Sequence, residues 1–231
     1  MRDSVELNGL PAHREPAFNV PWPVLVLTGA LIGAHALRLA LSMSGDPLAL
    51  SPGDLTSGGA VHLVTHLFVH GSWAHVLMNA AFTLTFGAPV ARYLGLTARG
   101  IIAFTLFITT CGVIAALGFV GWTVAAAWFG YPSPHWGLLG ASGAASGLFG
   151  AAARLMGGRG RLGPILGRQV LVLSAVWIAT NLVLGLSGLT PGAAGAPVAW
   201  QAHLAGFVAG LILIGPFAAL AGRSRDHVIA P

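Results

Sequence analysis

The chain has 231 residues, 55% of them hydrophobic and only 7% charged. A soluble domain carries about 25% charged residues, so this composition excludes a water-soluble globular protein and indicates a polytopic membrane protein. The formal net charge of +5 does not point to nucleic acid. Lysine is absent, and the arginines stand at the ends of apolar runs, where they report topology.

Residues 1–20 are polar, with Asp3, Glu6 and Glu15, and read as a flexible cytoplasmic tail rather than a signal peptide. From Pro21-Trp22-Pro23 to residue 222 the chain reads as one membrane domain, followed by a short cytoplasmic tail at 223–231. A helix needs about 20 apolar residues to cross the hydrocarbon layer. Six runs are candidates: Val24–Leu41, Trp73–Leu94, Gly100–Val120, a short one at Gly140–Met156, Ile165–Leu186 and Trp200–Ala221. The single cysteine, Cys111, lies in the third and excludes an intrachain disulfide. The expected fold is therefore an all-α bundle of six transmembrane helices.

Arginine placement orients the bundle. Arg2 and Arg14 precede the first span, Arg92 and Arg99 flank the loop after the second, and Arg154, Arg159, Arg161 and Arg168 fill the loop after the fourth. Arg223 and Arg225 follow the sixth, while loops 42–72, 121–139 and 187–199 hold no arginine. Both termini are thus expected in the cytoplasm. Arg38 dissents, and is expected to snorkel or to meet Asp46. Trp73, Trp122, Trp128, Trp136 and Trp200 form an aromatic belt on the outer side. Within the long first outer loop, residues 61–70 alternate poorly as a strand and read as a short interfacial helix.

Strongly polar groups at membrane depth are costly and mark function. Ser142 opens a helix of Gly, Ala and Ser, in which Gly143, Gly147 and Gly150 allow close helix approach. His203 lies in a second small-residue helix with Gly206 and Gly210. His75 and Asn79 are four apart and share a face of a third helix, which Ser72 can cap. Counted along their helices from Arg92 and Arg154, Asn79 and Ser142 stand about 20 and 18 Å up, in the same outer half of the bilayer. Serine acyl transfer needs a hydroxyl, a base in reach and donors for the developing oxyanion. Ser142 would be the nucleophile, His203 the base, and His75, Asn79 and the Ser142 N–H the donors. No Asp or Glu falls in any span, so a Ser–His dyad is the most expected. Taken singly, each residue could instead be packing or interhelical glue.

His66, His70 and His75 carry a spacing that invites a metal. No cysteine or carboxylate completes the set, so no metal and no cofactor is expected. A solute or metal transporter built on these histidines would need internal repeats or an intramembrane carboxylate, and the sequence has neither. His62 and Thr65 read as interfacial polar residues. His13, His35, His135 and His227 have no evident companions.

In this order the residues resemble the rhomboid family of intramembrane serine proteases, over nearly all the chain. His70-Gly71-Ser72-Trp73-Ala74-His75-Val76-Leu77-Met78-Asn79 is similar to the family's His-x-x-x-Asn segment with its upstream loop histidine. Gly140-Ala141-Ser142-Gly143 is similar to the Gly-x-Ser-Gly nucleophile motif. Ala202-His203-Leu204-Ala205-Gly206 through Gly210 is similar to the Ala-His-x-x-Gly-x-x-x-Gly base helix. The resemblance implies a six-helix core with a water-filled site opening to the extracytoplasmic side of a bacterial inner membrane. It also implies cleavage of single-pass substrate helices near a small residue. It carries the catalytic roles onto Ser142 and His203, the oxyanion role onto His75 and Asn79, and supporting roles onto His70, Gly140, Gly143, Ser146, Gly206 and Gly210. Two positions depart from the pattern. Val61-His62 stands where the family often has Trp-Arg, and Ser146 stands where an aromatic often packs on the base. The partners implied are the lipid bilayer and single-pass membrane proteins, with no nucleic acid; nothing indicates an oligomeric state. A catalytically silent relative that binds transmembrane helices is the competing reading.

Overall fold

The computed structural model describes residues 19–43, 47–131, 137–187 and 198–223. The tail with Arg2, His13 and Arg14, and Asp46, lie outside the described residues. So do His135 and Trp136, the connection at 188–197, and Arg225 and His227.

The described residues form helices α1 (Trp22–Ala40), α2 (Asp54–Ser57), α3 (His62–Thr65), α4 (Trp73–Leu94), α5 (Ala98–Trp128), α6 (Ser142–Gly157), α7 (Arg168–Ser187) and α8 (Trp200–Leu220), with a 3-10 turn at His66–Phe68. Five of them, α1, α4, α5, α7 and α8, are long and apolar enough to cross a membrane. The expected short fourth span is α6. Its 16 residues reach only about 24 Å at 1.5 Å per residue, less than the ~30 Å hydrocarbon layer.

α6 is the centre of the fold. It packs against α8, α4, α5 and α7, while α1 lies on α4. Every residue from Gly143 to Ala153 is buried, which explains why this helix needs so little hydrophobicity of its own. Small residues make the enclosure feasible. A Cβ on Gly206 would fall on the carbonyl oxygen of Gly143, one on Gly210 on that of Gly147, and one on Gly150 on that of Phe207. The α6 and α8 backbones thus touch with no side chain between them, maximising dispersion where apolar surroundings give no hydrophobic drive to association. Larger side chains, among them Val24, Leu94, Phe104, Phe107, Leu148 and Ile214, fill the core.

Ser72 caps α4 as expected, its hydroxyl accepting from the His75 N–H at 3.1 Å. Residues 61–70 are helical at α3 and the 3-10 turn, also as expected. One expectation needs correction, and two arginines have roles the sequence did not show. α5 does not stop near Val120 but runs 31 residues to Trp128. Ala125-Ala126-Ala127 are strong helix formers, and the Trp-rich segment read as loop simply continues the helix. Arg38 is held by the backbone, its Nη2 donating to the His70 carbonyl at 2.7 Å. Arg154 is more than a topology marker: its Nε donates to the Gly163 carbonyl at 2.9 Å and its Nη1 to the Leu211 carbonyl at 3.0 Å. It ties the loop after α6 to α8.

The glycine contact gives a direct test. Gly210→Ala is expected to lower stability by about 2–3 kcal/mol, because the added methyl has only backbone to displace. Gly33→Ala, whose Cβ would have nothing within 4 Å, is expected to leave stability unchanged or raised by a few tenths of a kcal/mol. Thermal unfolding of both variants in detergent measures the contrast; equal melting temperatures would remove the close-approach argument.

Candidate active site

Ser142 is the first residue of α6, preceded by a turn that only glycine enters easily. Gly140 has φ +101°, in the left-handed region where a Cβ is strained. A Cβ there would also lie 2.7 Å from His75 Nε2 and 3.6 Å from Asn79 Nδ2. The His75 and Asn79 side chains of α4 are therefore turned onto the Gly140 backbone, beside Ser142. Asn79 is 3% exposed, and its Nδ2 donates to the His75 carbonyl one turn back at 3.1 Å. An amide nitrogen has two N–H groups, so this bond fixes the side chain and leaves one donor.

His203 comes from α8, three residues after its start at Trp200. Its Nε2 lies 2.8 Å from Ser142 Oγ, a normal hydrogen-bond length. The Gly143–Gly206 and Gly147–Gly210 contacts run directly beneath this pair, so the small residues named from the sequence set the distance between hydroxyl and imidazole. Ser146, one turn below, donates to the Ser142 carbonyl at 2.7 Å. It engages its own helix, as Ser and Thr commonly do inside helices.

The segment between α1 and α4 holds the Gly140 turn. The Gly140 N–H donates to the His66 carbonyl at 2.9 Å, and Leu138 and Leu50 exchange N–H···O bonds of 2.7 and 2.9 Å. The Ala141 N–H points at His70 Nε2 across a longer 3.5 Å. Burial pushes the His70 pKa down to about 3 from its ordinary 6.5, and the nearby His75 and His35 rings act in the same direction. The neutral ring can accept, as that contact requires. His35 was assigned no companion from sequence. In fact its ring centre lies 4.9 Å from Trp73 and 6.4 Å from His70, and His70 lies 5.1 Å from His75. His62, read as an interfacial polar residue, meets Asp54 at 2.9 Å. Among the described residues no group of three His, Cys, Asp or Glu side chains is placed to hold a metal.

The sequence reading missed Asn181. This α7 residue is 3% exposed, and its Oδ1 lies 2.6 Å from His203 Nδ1. The imidazole thus has a partner on each nitrogen, and a dyad is not the full extent of the polar cluster. The only sequence signal was a buried-type amide in an otherwise apolar span, which usually means interhelical glue. An aromatic near the imidazole, missing at Ser146, comes instead from α7: the Trp177 ring lies 6.4 Å from that of His203. Trp177 also packs on Phe149 of α6 at 5.0 Å, Phe82 of α4 at 5.8 Å and Phe207 of α8 at 6.3 Å.

A model of the rhomboid domain matches residues 57–219, which takes in His70, His75, Asn79, Ser142, Asn181 and His203. No curated protein sequence matches the chain. The match covers well over half of the chain, which therefore belongs to the rhomboid family and is an integral membrane protein.

His70 gives a pH test. Its folded pKa lies below its unfolded value, so between pH 3 and 6.5 the unfolded chain binds more protons. Its contribution is fully present above pH 6.5 and is lost as pH falls toward 3. Acidification from pH 7 to 4 is expected to cost on the order of 3 kcal/mol through this residue. Unfolding midpoints across that range should fall less steeply for His70→Asn than for wild type; parallel curves would contradict it.

Proposed function

From this membership we propose that the protein is an intramembrane serine endopeptidase that cleaves single-pass membrane proteins within their transmembrane segments, near small residues. The observation that carries the reading is the 2.8 Å approach of His203 Nε2 to Ser142 Oγ between two helices packed backbone to backbone. A serine and a histidine could serve as glue from many positions. This pair sets an imidazole nitrogen against the hydroxyl it would deprotonate, with the His75 and Asn79 side chains turned onto the neighbouring Gly140 backbone.

In the proposed reaction Ser142 Oγ attacks the carbonyl carbon of the scissile amide while His203 Nε2 takes its proton. The negative charge develops on the former carbonyl oxygen, toward His75, the remaining Asn79 N–H and the Ser142 N–H. The C–N bond then breaks, and the imidazolium returns the proton to the leaving amine. A water activated by the same ring hydrolyses the acyl-enzyme and frees Ser142. That water must reach the serine, which fits a site opening at the outer end of the short α6. On this reading α6 acts as a sixth, short span, both termini face the cytoplasm, and the site opens away from it. The membrane is then the inner membrane of a bacterium. The domain occupies residues 21–222, with cytoplasmic tails on either side. A silent helix-binding protein would have no use for a base poised on a hydroxyl.

Ser142→Ala and His203→Ala are each expected to abolish cleavage of a reporter transmembrane helix by purified, folded protein. Retained cleavage by either would overturn the assignment. Asn79→Ala is expected to lower kcat by about 10²-fold or somewhat more, with activity still measurable, since one of several oxyanion donors is lost. Wild-type turnover would reduce Asn79 to packing.

A further inference from the structure

Asn181 is unusual for its helix. Of the 20 residues of α7, only Val170 and Asn181 are buried, so the helix turns a single polar side chain into the bundle. A buried amide in such surroundings must be satisfied on both its oxygen and its nitrogen. Asn181 Nδ2 donates to the Trp177 carbonyl at 2.9 Å. A carbonyl can only accept, so the amide's NH₂ must face it, and its oxygen must face His203 Nδ1, 2.6 Å away. An amide oxygen also only accepts. The proton of the neutral imidazole must then sit on Nδ1, leaving Nε2 bare toward Ser142 Oγ.

We propose that Asn181 is the positioning residue that fixes His203 in the Nδ1–H tautomer, so that Nε2 is free to take the Ser142 proton. The inference rests on the roles proposed above for Ser142 and His203. Without a partner at Nδ1 the ring could carry its proton on Nε2 and donate to the serine, a state that cannot act as base. The amide does this without charge, which suits a site with no Asp or Glu beside it among the described residues. The chain of support is continuous: Trp177, held among Phe82, Phe149 and Phe207, presents the carbonyl that orients Asn181, which orients His203. Beside the Trp177 ring, the imidazole meets Ser142 of α6 and Asn181 of α7, and His75 of α4 is near enough to act on it electrostatically.

The test compares Asn181→Leu, Asn181→Asp and Ser142→Ala in the full chain. Asn181→Leu is expected to lower kcat by about 10²-fold while KM changes less than about twofold. The ¹⁵N spectrum of the His203 ring should show a protonated Nδ1 and a bare Nε2 in wild type, and lose that preference in Asn181→Leu. Asn181→Asp keeps the shape and the acceptor, so it should fold and retain activity. Its carboxylate would favour the imidazolium, moving the acid limb of the kcat/KM profile to higher pH by about one unit or more. Wild-type kcat in Asn181→Leu with an unchanged ring spectrum, or an unmoved acid limb in Asn181→Asp, would overturn the proposal. If that happens while Ser142→Ala is inactive, only the role of Asn181 fails; an active Ser142→Ala would instead remove the reading it rests on.

Discussion

The contact between α6 and α8 governs everything above it. Two helices whose backbones meet through Gly143, Gly147, Gly150, Gly206 and Gly210 stand closer than helices separated by side chains. A short side chain such as serine can then reach an imidazole on the facing helix. With larger residues at these positions, Ser142 and His203 would be too far apart for a direct hydrogen bond. The same contact accounts for the low hydrophobicity of α6. A helix enclosed on all sides has no lipid to face, so its sequence is free to be small and polar.

The second requirement is that the serine stand at the start of its helix. The Gly140 turn sets this, and the connection between α1 and α4 holds the turn in place through the His66 carbonyl, the Leu50–Leu138 pair and His70. The loop is itself secured by Arg38 on the His70 carbonyl. Arg38, the one arginine that departs from the expected charge bias, thus has a structural use in satisfying loop backbone. These bonds also suit the mixed character of the loop, whose polar backbone must be paired if it is to lie against apolar helices.

Much of this was legible in the sequence because it is local. Apolar run lengths located the helices, Ser72 announced the start of α4, and glycine spacing marked the α6 and α8 faces that touch. Helix rise put Asn79 and Ser142 at one depth, and the small-residue helices that carry Ser142 and His203, with the motifs around them, pointed to their pairing. What stayed hidden depends on rotation about helix axes. α7 is apolar nearly all round, so nothing in its pattern said that Asn181 points inward, or that it meets His203 across 22 residues of sequence. The contact of His35 with Trp73 was invisible for the same reason, since it needs the relative rotation of α1 and α4. The end of α5 was misplaced for a different one: tryptophans read as an interfacial belt are equally at home in a helix that extends past the hydrocarbon layer.

The central claim is that Ser142, and not its neighbour Ser146 one turn deeper, is the hydroxyl that His203 activates. The two serines share a helix face and each precedes a glycine, so reactivity must separate them. Labelling with a fluorophosphonate in detergent, followed by mass spectrometry of the adduct, does so directly. The account expects a single adduct on Ser142 that disappears in His203→Ala and persists in Ser146→Ala. An adduct on Ser146, or undiminished labelling without His203, would contradict it.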